Sequence, residues 1–277
     1  MNWGETKEII DEMKKRTLME AFSLKIQPDI QPGICDSKFG GVPYWDMKKP
    51  YPTDYNGEKL ILLAQINLDQ IEKNELLPEN GMLQFFTGLD DVFGMNFDNP
   101  DVQDTFRVIY HESVDYSITN EQILRLNPPI STNPDIEEYT PLWKECAVKI
   151  EKTKAYMGES DYRFDTLFGE TAHEKFNIKF DSAFNLLDED DYNKMVEELS
   201  TTGHWMLGYP FFTQQDPRTY EEKYRYYDTL LFQMDSDFIN KEDYVLWGDC
   251  GVANFFINHE DLKRKDFSKV LYNWDCC

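Results

Sequence analysis

Three aspartates in the second half of the chain have side chains that could do metal chemistry. Asp235, Asp237 and Asp249 lie close together in sequence, and His204 or His259 could join them. Hard divalent cations bind several carboxylates, and a histidine can serve as a ligand or as the general base of a metal-assisted hydrolysis. These residues define one hypothesis, a metal-dependent hydrolase that uses Asp235, Asp237 and Asp249.

The sequence lacks the spacings on which common catalytic and metal sites are built. It contains no HExxH, GxSxG, Walker loop or CxxC pair. The four histidines are scattered, at His111, His173, His204 and His259. Aspartates are also frequent in turns and at strand ends. We therefore expect a non-enzymatic protein with no cofactor and no metal site, and keep the hydrolase as the alternative.

The charge balance restricts the classes of partner. The chain carries 52 acidic and 28 basic residues, a formal net charge of −24. Such a charge repels phosphate backbones and anionic headgroups, so the sequence predicts no nucleic acid and no membrane partner. A basic protein would be attracted. The alternative is that the charge serves only solubility.

Composition indicates a folded protein of the cytoplasm. Aromatic residues make up 15% of the chain, which is too many for a disordered acidic segment. The first residues lack a basic segment followed by an apolar core, so we expect no signal peptide, and no apolar run approaches the roughly 18 residues that span a bilayer. Five cysteines without CxxC spacing are expected to be free thiols.

Local patterns predict a mixture of strands and helices. Apolar residues at three- and four-residue intervals predict a helix over 5–24. Short apolar or alternating runs predict strands over 60–68, 82–86 and 105–111, one ending at 233–235 and one through 255–257. Between them, helices are predicted over 142–157 and 192–199, the latter preceded by acidic residues that suit a helix N-terminus.

Ordered landmarks near the start of the chain recur near its end. The first three are a Gly-x-Pro turn, a glutamine in an apolar strand, and a glycine followed by a Phe-Phe pair. The intervals between them agree to within two positions. The landmark residues are Gly41, Pro43, Gln65, Gly81 and Phe85, and Gly208, Pro210, Gln233, Asp235, Gly251 and Phe255. A fourth pair matches 106–110 with 267–272. The recurrence indicates an internal duplication.

Each unit, at about 70 residues, is too small to bury its own sheet well. We predict a mainly β (α+β) fold in one domain, 1–277, in which pseudo-symmetric repeats at about 37–111 and about 203–277 share a core. An N-terminal helix and a helical insertion at about 112–202 complete it. Buried Gln65 and Gln233 need hydrogen-bond partners, and we predict backbone contacts across the repeats, with ligand contact as the alternative.

Several of these motifs resemble the YwqG-like family, a bacterial family of unknown function. The motifs are Ser37-Lys38-Phe39-Gly40-Gly41-x-Pro43, Leu63-Ala64-Gln65-Ile66-Asn67, Gly208-Tyr209-Pro210 with Gln215, Leu231-x-Gln233-x-Asp235-Ser236-Asp237 and Trp247-Gly248-Asp249-x-Gly251-x-x-x-Phe255-Phe256-Ile257. Trp45 departs from the pattern, because relatives often have a proline near it. The resemblance covers nearly the whole chain and implies a largely β, roll-like fold.

The resemblance also implies a role. Some relatives are encoded near polymorphic toxins, which suggests immunity proteins, and no catalytic residue transfers from the family. Acidic inhibitors commonly mask basic toxins, so the leading hypothesis is a cytoplasmic binding protein that neutralises a basic toxin domain. Residues that the first copy lacks are the candidates for a specific contact. They are Asp237, Trp247, Gly248, Asp249 and Cys250.

Overall fold

The chain is mainly β, as its apolar pattern predicts. In a computed structural model that describes residues 1–179 and 182–277, it forms twelve strands and six α-helices. The strands are β1 (Met19–Gln27), β2 (Lys38–Phe39), β3 (Ile61–Asn67), β4 (Met82–Thr87), β5 (Phe106–His111), β6 (Cys146–Ala155), β7 (His204–Met206), β8 (Thr229–Asp235), β9 (Asp237–Ile239), β10 (Glu242–Val245), β11 (Val252–Ile257) and β12 (Val270–Asp275). The helices are α1 (Trp3–Thr17), α2 (Asn120–Leu124), α3 (Phe164–Phe176), α4 (Ala183–Leu186), α5 (Glu189–Glu198) and α6 (His259–Lys263).

Ten of these strands form one antiparallel sheet, and β9 and β10 form a separate hairpin. The order in the large sheet is β12-β11-β8-β7-β1-β6-β2-β3-β4-β5. The sheet curls until it nearly closes, so that the rings of Phe106 in β5 and Tyr272 in β12 lie 5.2 Å apart between centroids. Apolar side chains from both edges therefore enter the same core.

The strands predicted from local pattern are confirmed, and their burial explains why. β3, β4 and β11 are buried at every position, as continuous apolar runs require. β5, by contrast, alternates in part between buried and half-buried residues. These strands can be recognised from local sequence, because burial on both faces requires a continuous apolar run and burial on one face requires alternating apolar and polar residues.

The N-terminal helix is shorter than predicted. α1 ends at Thr17, and Met19–Gln27 forms β1 in the middle of the sheet, paired with β6 and β7. The prediction of one helix over 5–24 was wrong beyond Thr17. The residues of β1 include good helix formers, but pairing with two distant strands outweighs that propensity.

A second correction concerns the segment predicted as a helix over 142–157. It forms β6, which pairs with β1 in an unbroken register from Met19 opposite Ala155 to Gln27 opposite Ala147. Its Lys and Glu residues lie on a partly exposed stretch, while Ala147 and Val148 are buried. The segment at 112–202 thus supplies a central strand as well as helices.

Three helices, α3, α4 and α5, share one apolar cluster with α1. Ile9 and Met13 of α1, Phe168 of α3 and Met195 of α5 belong to one apolar cluster. The helix predicted over 192–199 is confirmed as part of α5, whose first turn is capped by the Asp188 carboxylate accepting from the Asp191 amide at 2.9 Å. None of the helices in the described ranges is long and apolar enough to cross a membrane.

Candidate functional site

Asp235 and Asp237 both contact His204. The side chain of His204 lies in β7 and is 5% exposed. Its Nδ1 accepts a hydrogen bond from the Asp235 amide at 3.1 Å, and its Nε2 lies 3.2 Å from Oδ2 of Asp237. Because Nδ1 is an acceptor, the neutral ring carries its proton on Nε2 and donates it to Asp237. Both ring nitrogens are therefore used within the protein.

The Asp235 carboxylate binds backbone amides. Its Oδ2 accepts from the Gly203 amide at 2.7 Å, and its Oδ1 accepts from the Ser236 amide at 2.8 Å. Burial raises the pKa of Asp235, and the Gly203 hydrogen bond opposes that shift. The side chain thus ties the end of β8 to the loop before β7, and both of its oxygens are already engaged.

Asp249 does not contact His204 as Asp235 and Asp237 do. It is exposed and lies near the thiol of Cys276. Burial raises the pKa of the Cys276 thiol; the Asp249 backbone opposes the shift and the Asp249 carboxylate adds to it. The structure therefore brings Asp235 and Asp237 together with His204 and gives Asp249 a different contact.

The remaining candidate histidine has a structural contact. The amide of His259, at the start of α6, donates to Oδ1 of Asp228 at 2.9 Å. Across residues 1–179 and 182–277, no three His, Cys, Asp or Glu side chains are grouped as a metal site requires.

Trp247 is a core residue. It is fully buried, and its ring lies 5.6 Å from that of Phe93 and 5.9 Å from that of Trp274. Gly248 follows with φ +58°, and a Cβ there would come within 2.7 Å of Sγ of Cys276. Of the five candidates for a specific contact, Gly248, Asp249 and Cys250 are exposed, Asp237 is half-buried and Trp247 is enclosed.

Gln65 and Gln233 satisfy backbone groups, as a buried amide must. Oε1 of Gln65 accepts from the Tyr44 amide at 2.8 Å, and its Nε2 donates to two carbonyls, those of Ile34 and Asp36, at 2.8 Å. These partners precede β3 in the same half of the chain. The predicted backbone contact is present, but it does not cross between the halves.

Gln233 makes the matching set of contacts. Its Oε1 accepts from the Phe211 amide at 2.7 Å, and its Nε2 donates to the carbonyls of Thr201 and Gly203 at 2.8 Å. The sheet brings each glutamine opposite another amide, Gln84 for Gln65 and Asn254 for Gln233. Both glutamines therefore fasten a preceding loop to the sheet.

The other landmark residues also have structural positions. A Cβ at Gly81 would meet the His111 carbonyl at 2.1 Å, and one at Gly251 would meet the Asp275 carbonyl at 1.9 Å, so neither site accepts a side chain without backbone movement. The rings of Phe85 and Phe255 lie 5.1 Å apart in the core. The remaining landmarks are buried: Gly41, Pro43, Gly208 and Pro210.

Sequence reasoning missed an exposed groove in which carboxylates and aromatic rings meet. This acidic groove is open, with a volume of about 470 Å³. It is lined by Pro134, Asp135, Glu137, Glu138, Tyr139 and Trp143. Tyr139 and Trp143 are 43% and 41% exposed. Among the ion pairs of the described residues, none uses its three carboxylates.

Long-range backbone contacts position the groove. Leu142 forms a bridge with Val245 of β10, and the Trp143 amide donates to the Tyr244 carbonyl at 3.1 Å. Leu142 is buried, whereas the Trp143 side chain next to it is exposed. The β9–β10 hairpin, which begins at Asp237, thus supports the segment that carries the groove. The sequence did contain a signal for this groove: three acidic residues within Pro134–Tyr139, close to a tryptophan.

Comparison with known proteins adds one match. The family model described as a domain of unknown function, DUF1963, matches residues 37–276. No curated protein matches the chain.

Proposed function

The chain belongs to the DUF1963 family, a family of unknown function, and we propose that it is a non-enzymatic binding protein of the cytoplasm that neutralises a basic protein, such as a toxin domain. The acidic groove is its contact surface. Within the family, we assign the chain to the YwqG-like proteins on the motifs that it shares with them.

The observation that carries this proposal is the combination of free carboxylates and exposed aromatic rings. Asp135, Glu137 and Glu138 make no ion pair within the described chain, while Tyr139 and Trp143 present flat apolar surface beside them. A lysine or arginine of a partner is attracted both to carboxylates and to the face of an aromatic ring. Tryptophan and tyrosine are also the residues that most often dominate binding energy at interfaces.

A neighbouring lysine already makes this kind of contact within the protein. Nζ of Lys144 lies 2.6 Å from Oε2 of Glu242 and 4.8 Å from the centre of the Tyr244 ring. Lys144 directly follows Trp143 in sequence. This surface therefore already holds one cation between a carboxylate and an aromatic ring. The acidic groove has the same two kinds of group and could bind a second cation, from a partner.

The net charge of −24 supports the choice of a basic partner. It attracts a basic domain over a distance and accelerates encounter, whereas the groove supplies short-range specificity. The long-range attraction depends strongly on salt concentration. The short-range specificity depends on individual side chains of the groove.

The test begins with the genes beside the one for this protein, and where one of them encodes a toxin with a basic C-terminal domain, that domain is the ligand. Affinity is measured by biolayer interferometry at low and physiological salt, together with protection of growing cells from the toxin. We expect Trp143→Ala to weaken binding roughly tenfold or more, as for an interface hot spot. Exchanging Asp135, Glu137 and Glu138 for their amides should weaken binding and flatten its salt dependence.

A charge-matched control distinguishes the groove from the overall charge. Glu72, Glu75 and Glu79 are exposed and lie outside the groove. Replacing these three with glutamine removes the same charge and should leave affinity nearly unchanged. Equal losses in the two triple variants, or binding that is insensitive to salt, would contradict the proposal.

A metal-dependent hydrolase that uses Asp235, Asp237 and Asp249 is the second proposal. Only the contact between Asp237 and His204 supports it, because the Asp235 carboxylate is bound to backbone amides and Asp249 lies beside Cys276. Calorimetry with divalent cations provides the test, since Asp235→Asn and Asp249→Asn should each abolish binding. Absence of binding by the wild-type protein counts against it.

We further propose that the sheet consists of two copies of one unit, at about 37–111 and about 203–277, within a single domain 1–277. The matched contacts of Gln65 and Gln233 support this organisation. The strand register changes the fourth landmark: Met82 pairs with His111 and Val252 with Asp275, which aligns Phe106 with Val270 and not with Phe267 as the sequence match had it.

A further inference from the structure

Three cysteines lie where β11 begins and β12 ends. Cys250 precedes β11 by two positions, and Cys276 and Cys277 directly follow β12. The two strands are paired at these ends, with Val252 opposite Asp275. Strand pairing therefore brings thiols that are distant in sequence to the same end of two neighbouring strands. Cys250 and Cys277 are exposed, and Cys276 is half-buried.

The turn that carries Cys250 folds over the side chain of Cys276. The Trp247 carbonyl accepts hydrogen bonds from the amides of Cys250 and Gly251, at 3.3 and 2.6 Å. A Cβ at Gly248 would come within 2.7 Å of Sγ of Cys276, and a Cβ at Gly251 would come within 2.9 Å of its Cβ. Because these glycines lie on either side of Cys250 in the chain, Cys276 contacts both ends of the turn.

These contacts limit the distance between the two cysteines. Consecutive Cα atoms are about 3.8 Å apart, so the contact at Gly251 places Cα of Cys250 no more than about 8 Å from Cβ of Cys276. A disulfide joins residues whose Cα atoms are about 4.4–6.8 Å apart. A shift of a few ångströms in an exposed turn is therefore enough for the bond to form.

The backbone of Cys250 has a conformation that is rare for residues with a side chain. Its φ is +151°. Residues held in such conformations concentrate at functional sites, where the surrounding structure maintains the strain. Here the hydrogen bonds of the turn maintain it, and the thiol is exposed. An exposed thiol is the one that a dissolved oxidant reaches first.

We propose that Cys250 and Cys276 form a reversible disulfide when the protein meets hydrogen peroxide. Peroxide transfers one oxygen to the Cys250 thiol, which gives a sulfenic acid and one water. Sγ of Cys276 then attacks the sulfenic sulfur and the S–O bond breaks. The departing hydroxide takes the Cys276 proton and leaves as a second water. The two thiols are thus oxidised by two electrons and the peroxide is reduced.

Such a bond has a defined place in the protein. It ties the turn before β11 to the residue after β12. Disulfides of cytoplasmic proteins are usually transient and respond to the redox state, which agrees with a bond that forms between an exposed and a half-buried thiol. This modification does not depend on the neutralisation of a basic partner.

The experiment treats the dilute full chain with hydrogen peroxide, blocks the remaining thiols and digests with trypsin without reductant. Trypsin releases Cys250 in the peptide 242–263 and Cys276 in the peptide 270–277. We expect mass spectrometry to find these two peptides joined, with the protein still a monomer on a non-reducing gel. The free thiols of the denatured protein should fall from five to three and return to five with dithiothreitol.

Cys277→Ser is the matched control, since it removes the neighbouring exposed thiol. The joined peptides should persist in this variant, where Cys276 is the only cysteine of 270–277. Cys250→Ser, at an exposed position, should abolish them. Cys35 and Cys146, which are buried, should stay reduced throughout.

Four results overturn the proposal. They are the absence of the joined peptides, their formation only between two chains, their loss in Cys277→Ser, and a bond within 270–277 in place of one to Cys250.

Discussion

Arg218 and Asp216 form a two-pronged ion pair inside the protein. Nε of Arg218 lies 2.9 Å from Oδ1 of Asp216, and Nη2 lies 2.7 Å from Oδ2, with both residues 1% exposed. The guanidinium also lies 4.0 Å from the centre of the Phe256 ring and donates to the Tyr227 carbonyl. A second carboxylate, that of Asp161, is 3.8 Å away. The pair thus joins the 161–163 turn, the loop before β8 and β11.

Removing one partner of this pair should be costly. Asp216→Asn leaves a buried guanidinium with one distant carboxylate, and we expect the free energy of unfolding to fall by about 3–5 kcal/mol. Urea denaturation followed by tryptophan fluorescence measures the change. Glu260→Gln is the comparison, since the Lys263–Glu260 pair is 47% and 64% exposed and its loss should cost under about 1 kcal/mol. Similar losses in the two variants would refute the role given to Asp216.

The buried glutamines should be equally important in the two halves. Gln65→Leu and Gln233→Leu each leave one amide and two carbonyls without their partner, and each should lower the free energy of unfolding by about 3 kcal/mol. Urea denaturation of both variants provides the measurement. Gln31→Leu, at an exposed position, should have little effect. A large cost at one glutamine and none at the other would contradict the proposed duplication.

Gly81 and Gly251 test the close approach of neighbouring strands. A Cβ at either position would meet a backbone carbonyl at 2.1 Å or 1.9 Å, so Gly81→Ala and Gly251→Ala should strongly destabilise the protein or prevent folding. Gly57→Ala separates this effect from backbone strain. Gly57 has φ +88° but no atom within 4 Å of a Cβ, and its substitution should cost only about 1–2 kcal/mol. Melting temperatures of the three variants provide the measurement, and shifts for Gly81→Ala and Gly251→Ala no larger than that for Gly57→Ala would contradict the role given to the two carbonyl contacts.

Stability should depend on pH through His111. Burial, reinforced by the charge of Lys49, lowers its pKa from 6.5 to about 4 in the folded protein. As pH falls, the unfolded chain binds the proton first, so the contribution of His111 is fully present above pH 6.5 and is lost as pH falls towards 4. The loss amounts to about 3 kcal/mol.

Denaturation curves between pH 4 and 8 in wild type and in His111→Phe measure this contribution. The variant is less stable at every pH because Gln84 loses a partner, but its stability should fall less steeply below pH 6.5. Asp235 and Asp275, whose pKa values burial raises, are common to both proteins and cancel in the difference. His173→Gln, at an exposed residue, should retain the wild-type slope. Parallel curves for wild type and His111→Phe would show that the ring does not titrate as described.

An element could be predicted from sequence when its own residues record its burial, and could not when distant pairing partners define it. β3, β4 and β11 are recognisable because each is buried along its whole length and needs consecutive apolar residues. Helices were predicted over most of β1 and all of β6, and for β1 the reason was the three- and four-residue spacing of apolar residues over 5–24. Their pairing partners lie more than a hundred positions away in sequence, and no local pattern records that contact.

The candidate site shows the same division. Asp235, Asp237 and Asp249 are the same residue type and lie close together in sequence, but the fold places them in different surroundings. The Asp235 carboxylate accepts from backbone amides, Asp237 contacts His204, and Asp249 lies near Cys276. Trp247 was a candidate for contact because the first copy lacks a counterpart, and the fold buries it completely. Trp143 was not singled out, and the bridge between Leu142 and Val245 leaves it exposed beside free carboxylates.

The amino-acid sequence by itself determined the mainly β composition, the recurring turn and glutamine positions and the net charge of −24. These are local or additive properties, which require no knowledge of distant neighbours. Only the tertiary structure decided which carboxylates accept hydrogen bonds from backbone amides and which have no partner. It also decided that the His111 ring has one nitrogen without a hydrogen-bond partner among the described residues. Those outcomes follow from contacts between remote segments, because burial and hydrogen-bond partners exist only once the sheet has closed around its core.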